Sequence, residues 1–239
     1  MTSRAVLEIL SVVWTASPGG DGRTDNLVGL CARTLPVSGV GLALMTDEGP
    51  AGTVAASDGG ALTLEELQFT LGQGPCVDAS RTGRPVLVSD LGGTPPPTWP
   101  RFGAGADAAG IRAVFALPLQ VGGIRLGVLD LYRDTAGELS PDELADALLF
   151  ADAATHLLLD LQAQDAARGT PPPHALPVLD DRAEVHQATG VVSVRAGVTM
   201  AQALALLRAR AYAEERPIGD LASDVLDGVV EIGGYDDTH

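Results

Sequence analysis

The chain has 239 residues, 46% of them hydrophobic, enough for one large folded domain or two smaller ones. Its formal net charge is −16, and all 15 of its basic residues are arginine. That balance repels nucleic acid at long range and excludes a phosphate loop built on lysine, yet it leaves room for a local basic patch.

The N-terminal run AVLEILSVVW is apolar, but Glu8 sits inside it and only Arg4 precedes it. It is not read as a signal peptide, and residues 1–22 are set apart as an N-terminal segment. No apolar run reaches the roughly 18 residues of a membrane helix, so a cytoplasmic protein with no membrane partner is expected. Asp25–Thr34 predicts a helix with Leu27, Leu30 and Cys31 on one face. Strands are predicted at Val40–Thr46, Gly52–Ser57, Pro85–Asp90, Ala113–Val121 and Ile124–Arg133, with Gly122-Gly123 as a hairpin signal between the last two. Thr63–Gly72 reads as a helix ended by glycine and opened by a capping box, Thr63 with Glu66. Ser140–Gln164 reads as a long helix, with Ser140 as N-cap, Pro141 in the first turn and acids just after. These elements predict an α+β domain over 23–165, a mostly antiparallel sheet with flanking helices.

The stretch RGTPPPHALPVLD, Arg168–Asp180, holds four prolines and cannot be a helix interior, so 166–180 is read as a semi-rigid linker. Beyond it the pattern is all helix. Val185, Ala188 and Val192 share one face of Arg182–Arg195, and Gly197 stands where a left-handed C-cap belongs. Thr199 and Gln202 form a capping box for a second helix with Met200, Ala203, Leu204, Leu207 and Ala211 as its apolar stripe. A third helix follows Arg216-Pro217 and carries Ile218, Leu221, Ala222, Val225 and Val229. Helices this short are stable only when packed together, so a small three-helix unit is expected over 181–232, with 233–239 as a tail.

In this last unit Ala188 and Gly190, then Gly197, Ala203, Leu207-Arg208 and Ala222, follow one another at a characteristic spacing. By these residues the unit resembles the ANTAR domain, a three-helix RNA-binding module of bacterial transcription antiterminators. The family commonly carries Ala-Lys-Gly where this chain has Ala188-Thr189-Gly190. The first domain, through LGQGPCVDASRTGRPVLVSDL, WPRF and AGIRAVFALPLQVGGIRLGVLDLYR, resembles the GAF sensor domain. The form it resembles is the one that precedes ANTAR in actinobacterial regulators. Many such regulators join the two by a continuous dimerising helix, whereas this chain has prolines there.

The resemblance implies a cytoplasmic homodimer that binds hairpin RNA in nascent transcripts through ANTAR, under a small-molecule or protein signal read by GAF. From Arg182 to Arg216 there are five arginines against Glu184, Glu214 and Glu215, in a chain that is acidic elsewhere. Guanidinium groups neutralise phosphates and stack on unpaired bases. The RNA-binding candidates are therefore Gln187 for a base edge, Gly190 for close backbone approach, Thr189 at the family's lysine position, and Arg195, Arg208, Arg210 and Arg216. They are expected to form one cationic surface. Surface arginines are common, and Gly190 could equally serve packing. The second expectation is accordingly a non-enzymatic dimeric signalling module that has lost RNA binding and acts by protein contact.

The rest of the inventory points to no cofactor, no metal and no catalysis. Cys31 and Cys76 form no Cys-x-x-Cys pair, so neither a zinc site nor a disulfide framework is expected. Cys76 is expected as a buried hydrophobe behind a Gly-Pro turn, and His156 as a packed residue on the apolar face of the long helix. Trp99 and Phe102 either line a pocket or anchor a loop. The histidines lie in the C-terminal third, away from any serine or cysteine nucleophile the pattern singles out.

Overall fold

A computed structural model describes residues 3–18, 22–46, 49–92, 98–168, 182–214 and 216–232. Most of the proline-rich linker and all of the tail, 169–181 and 233–239, lie outside the described residues. The chain divides into two compact units, Met1–Val178 and Leu179–His239.

The first unit is built on one antiparallel sheet. Its strands are β1 (Gly39–Thr46), β2 (Gly49–Ala56), β3 (Val86–Val88), β4 (Ala113–Val121) and β5 (Ile124–Arg133), in the order β2-β1-β5-β4-β3. The hairpin read from Gly122-Gly123 is present, with Gly122 at φ 59° and Val121 paired to Ile124. Both faces of the central strands are buried. Successive side chains point to opposite faces, so Phe115, Leu117, Leu129 and Leu131 enter one core while Val114, Ala116, Val128 and Tyr132 enter the other.

The first core is closed by α1 (Arg4–Ala16), α2 (Arg23–Thr34) and α6 (Pro141–Arg168). The N-terminal segment is therefore no appendage: α1 buries Val6, Leu10 and Val13 in the same cluster as Leu27, Cys31, Phe150 and Leu157. Burial pushes the Cys31 thiol up to about 12, which leaves it protonated and inert. α6 runs past Gln164 into the first residues assigned to the linker. His156 points the other way from the apolar face expected for it and is exposed.

The second core lies under α3 (Gly59–Leu71), α4 (Pro75–Thr82) and α5 (Pro100–Ala108). α3 ends at Gly72, left-handed at φ 59°, as its sequence predicts, but it starts earlier than the capping box implies. Asp58 is the N-cap and accepts from the Ala61 N–H at 2.8 Å. Thr63 is already inside the helix, where its hydroxyl donates to the Gly59 carbonyl. Asp58 wins because its other oxygen also accepts the Tyr132 hydroxyl from β5 at 2.8 Å, tying the helix start to the sheet. Cys76 is buried as expected, though in the first turn of a helix rather than behind a turn. Trp99 and Phe102 are anchors. The indole N–H donates to Asp78 Oδ2 at 3.0 Å, and the two rings meet edge to face at 6.1 Å.

The second unit packs α7 (Ala183–Ala196), α8 (Met200–Ala213) and α9 (Ile218–Leu226) around Val185, Ala188, Val192, Leu204, Leu207, Leu221 and Val225. Gly197 caps α7 at φ 64°, and the Thr199–Gln202 capping box opens α8, both as the sequence predicts. Two stripe residues do not join the core. Met200, in the first turn of α8, is 44% exposed, and Val229 is 72% exposed because α9 stops at Leu226. Among the described residues no single helix is long and apolar enough to cross a membrane.

Two outcomes test these placements by urea unfolding. Leu10→Ala should destabilise the first unit by about 2–5 kcal/mol, the cost of a fully buried leucine, where a loose N-terminal segment would give no change. Asp58→Ala should cost about 1–2 kcal/mol, whereas Thr63→Ala should stay within about 0.5 kcal/mol.

Candidate functional site

The three-helix unit holds the residues singled out for RNA, and it does not present them as one cationic face. Arg195, in the last turn of α7, is exposed and has no ion-pair partner among the described residues. Gln187 is exposed on the same helix. A Cβ at Gly190 would meet nothing within 4 Å, so glycine there is not demanded by packing within the unit and leaves that part of α7 low in relief. Thr189 points inward. It is 3% exposed, and its hydroxyl donates to the Val185 carbonyl at 2.6 Å, so the residue at the family's lysine position satisfies its own helix instead of meeting a phosphate.

The other arginines are engaged or sheltered. Arg210 on α8 is hydrogen-bonded and ion-paired to Glu214 one turn on. Arg216 reaches Asp224 on α9 at 2.7 Å and Glu214 at 3.5 Å. The hydrogen bond to Asp224 is the main reason its guanidinium is held above its ordinary range. Two positive groups thus face two carboxylates, and the local charge cancels. Arg208 is half-buried, with Nε and Nη2 closed off from solvent, and Arg182 is buried. The expected single cationic surface is corrected to one open arginine and a pair of arginines cross-linked by acids. Exposed pairs of this kind are weak, on the order of 0–1 kcal/mol, so a phosphate can compete for them.

In the first unit, the interior on the α3–α4 side of the sheet is polar where a core is normally apolar. Asp130 on β5, Gln68 and Glu65 on α3 are all buried, at 0%, 0% and 2% exposure. Sequence reasoning passed over them because an acid inside a strand and a Glu-Gln pair on a helix read as surface residues. Small residues on the sheet make the room. Gly41 and Ala116 flank Asp130 across the ladders, and a Cβ at Gly41 would fall 2.3 Å from Glu65 Oε1, so only glycine lets that carboxyl lie on the strand. Gln68 Nε2 donates to Asp130 Oδ2 at 3.4 Å, and Gln68 Oε1 accepts the Cys76 N–H at 2.7 Å. Gly74, at φ 132°, is tight against the same side chain, a Cβ there lying 2.8 Å from Gln68 Oε1. One glutamine therefore joins β5 to the first turn of α4.

No N–H or hydroxyl reaches Asp130 Oδ1; the Glu65 carboxyl is hydrogen-bonded to Asp130. Burial first, and Glu65 second, push the Asp130 carboxyl well above the ordinary carboxylate range. Among the described residues no group of three histidine, cysteine or acidic side chains is arranged to hold a metal.

Comparison with known proteins matches this architecture. Residues 24–158 fit the GAF domain model and residues 178–226 the ANTAR domain model. No curated protein matches the chain in sequence. Among solved structures, a domain described as part of a two-component sensor histidine kinase of Sinorhizobium meliloti 1021 superposes with a TM-score of 0.52 at 19% identity, over 64% of this chain and 99% of that one. The GAF domain of a phosphoenolpyruvate-protein phosphotransferase from Coxiella burnetii does so with a TM-score of 0.50 at 18% identity, over 71% of this chain and all of that one. At such identities they establish the fold of the first unit and nothing of its ligand. A GAF domain on a five-stranded antiparallel sheet, followed in one chain by a helical ANTAR domain, places this protein among the GAF–ANTAR regulators.

Proposed function

We propose that the protein is a non-enzymatic transcription antitermination regulator whose ANTAR unit binds hairpin RNA in nascent transcripts under control of the GAF unit. It works in the cytoplasm as a homodimer, for which Leu7, Val12 and Trp14 on the outer side of α1 offer apolar surface. The observation that carries the reading is the order of the two domains in one chain, joined to the charge pattern of the second. From Val185 to Ala213 there is no acidic residue in a protein whose net charge is −16, and three arginines lie in that interval. On it the exposed Arg195 and Gln187 share α7 with the open Gly190, a surface an RNA backbone can approach closely. Arg208, Arg210 and Arg216 join the interface only as their present contacts give way.

The pairing of Arg210 and Arg216 with Glu214 and Asp224 favours the second reading, a signalling module that has lost RNA binding and acts by protein contact. Filter binding of the full chain to tandem hairpin RNA over a salt series separates the two. The first reading expects salt-sensitive binding at micromolar protein, and its absence at every salt concentration leaves the second.

Within the first reading, Arg195→Ala should weaken binding by about 1 kcal/mol, roughly fivefold, and shallow the salt slope by about 0.7–0.9. Glu214→Gln should do the reverse, because it releases two guanidinium groups from one carboxylate. Thr189→Val, which keeps the shape of a side chain bonded only to its own helix, should leave RNA affinity unchanged in the same assay.

A further inference from the structure

The geometry points to a proton-binding site in the GAF unit: Glu65 and Asp130 share one proton, and Gln68 relays its presence from the sheet to the first turn of α4. The role of this site as the regulator's signal rests on the function proposed above; the site itself stands on the first unit alone.

The argument starts from burial and valence. Two carboxylates have only acceptors, so a hydrogen bond between Glu65 and Asp130 exists only while one of them is protonated. Neither can turn to water, since both residues are buried. No cation on the page takes the place of the proton. Across the ladders Asp130 faces Gly41 on β1 and Ala116 on β4, neither of which titrates. α3 contributes Glu65 and the neutral Gln68. α4 contributes the buried Cys76, and its Asp78 is turned to Trp99 and Arg81. Tyr132, two residues on along β5, gives its hydroxyl to Asp58. The pair is thus left to its own proton.

Loss of that proton sets two like charges against each other in a site with no counter-ion. Glu65 and Gln68 are one turn apart on α3, so displacement of the first disturbs the second. Gln68 accepts the Cys76 N–H at the start of α4, and α4 in turn holds Trp99 through Asp78. The site therefore has a mechanical outlet: deprotonation loosens α4 and the Trp99 anchor, and protonation locks them. The direction follows from the raised Asp130 carboxyl. A group whose folded-state affinity for protons exceeds its unfolded one stabilises most at low pH, and the gain is lost as pH rises through the folded value. The locked state is the more acidic one.

The test uses the full chain carrying Trp14→Phe, which leaves Trp99 as the single tryptophan. As pH is raised, short of tyrosine ionisation, Trp99 emission should shift to the red and become more accessible to acrylamide. The amide pair Glu65→Gln with Asp130→Asn, which keeps a hydrogen bond without needing the proton, should abolish the shift. Unchanged emission across that range, or the same shift in the amide pair, overturns the site. Should the amide pair not fold, hydrogen exchange on the unaltered chain decides: protection of 75–82 relative to 23–34 should fall as pH rises, and a constant ratio overturns the proposal. Hairpin RNA affinity measured at the two ends of the range addresses the signal. A change in affinity supports it; binding that is equal at both ends overturns the signalling role, and no binding at either end overturns the antitermination reading and the signalling role with it while the proton site stands.

Discussion

One hydrogen bond between two buried acids governs the interior of the GAF unit. At about 4 Å and an effective dielectric of about 20, two like charges repel by roughly 4 kcal/mol, a large share of any domain's stability. The fold tolerates Glu65 beside Asp130 only because a proton cancels one of the charges. Much of that face of the sheet is arranged around this arrangement. Gly41 and Ala116 give up side-chain volume to it, Gln68 is wholly enclosed to bridge it to α4, and Gly74 takes a backbone angle suited to glycine so that α4 can begin against the glutamine.

The opposite face is a conventional apolar core, and it was the more legible in sequence. β4 and β5 alternate strictly, the Gly122-Gly123 turn joins them, and α2 and α6 show helical spacing, so the antiparallel α+β architecture could be read directly. What escaped was what depends on distant partners. Thr63 and Glu66 have the spacing of a capping box, but Asp58 takes the cap because Tyr132, far along the chain, binds it. α1 looked like a separate segment because its partners Cys31 and Phe150 lie on other helices. α4 begins with Gly74-Pro75, a signal shared by turns and helix starts.

The ANTAR unit shows the same division between composition and pairing. Its helix caps and inward stripe were visible as local patterns. Its arginines were counted correctly as a positive segment, but a count carries no partner. Asp224 lies outside the interval that was counted, yet it binds Arg216 across the turn between α8 and α9, and Glu214 serves two arginines at once. Thr189 illustrates the opposite case: its position in the motif suggests a phosphate contact, and its burial denies it.

The acid pair ties the GAF core to the account of how this regulator is controlled, so its protonation is the quantity to measure. Carbon-13 NMR of the side-chain carboxyls, followed through a pH titration of the full chain and assigned with Glu65→Gln and Asp130→Asn, reads it directly. The account predicts that one carboxyl of the pair stays protonated through neutrality and titrates well above the other carboxylates of the protein. Two carboxyls both ionised at neutral pH would contradict it.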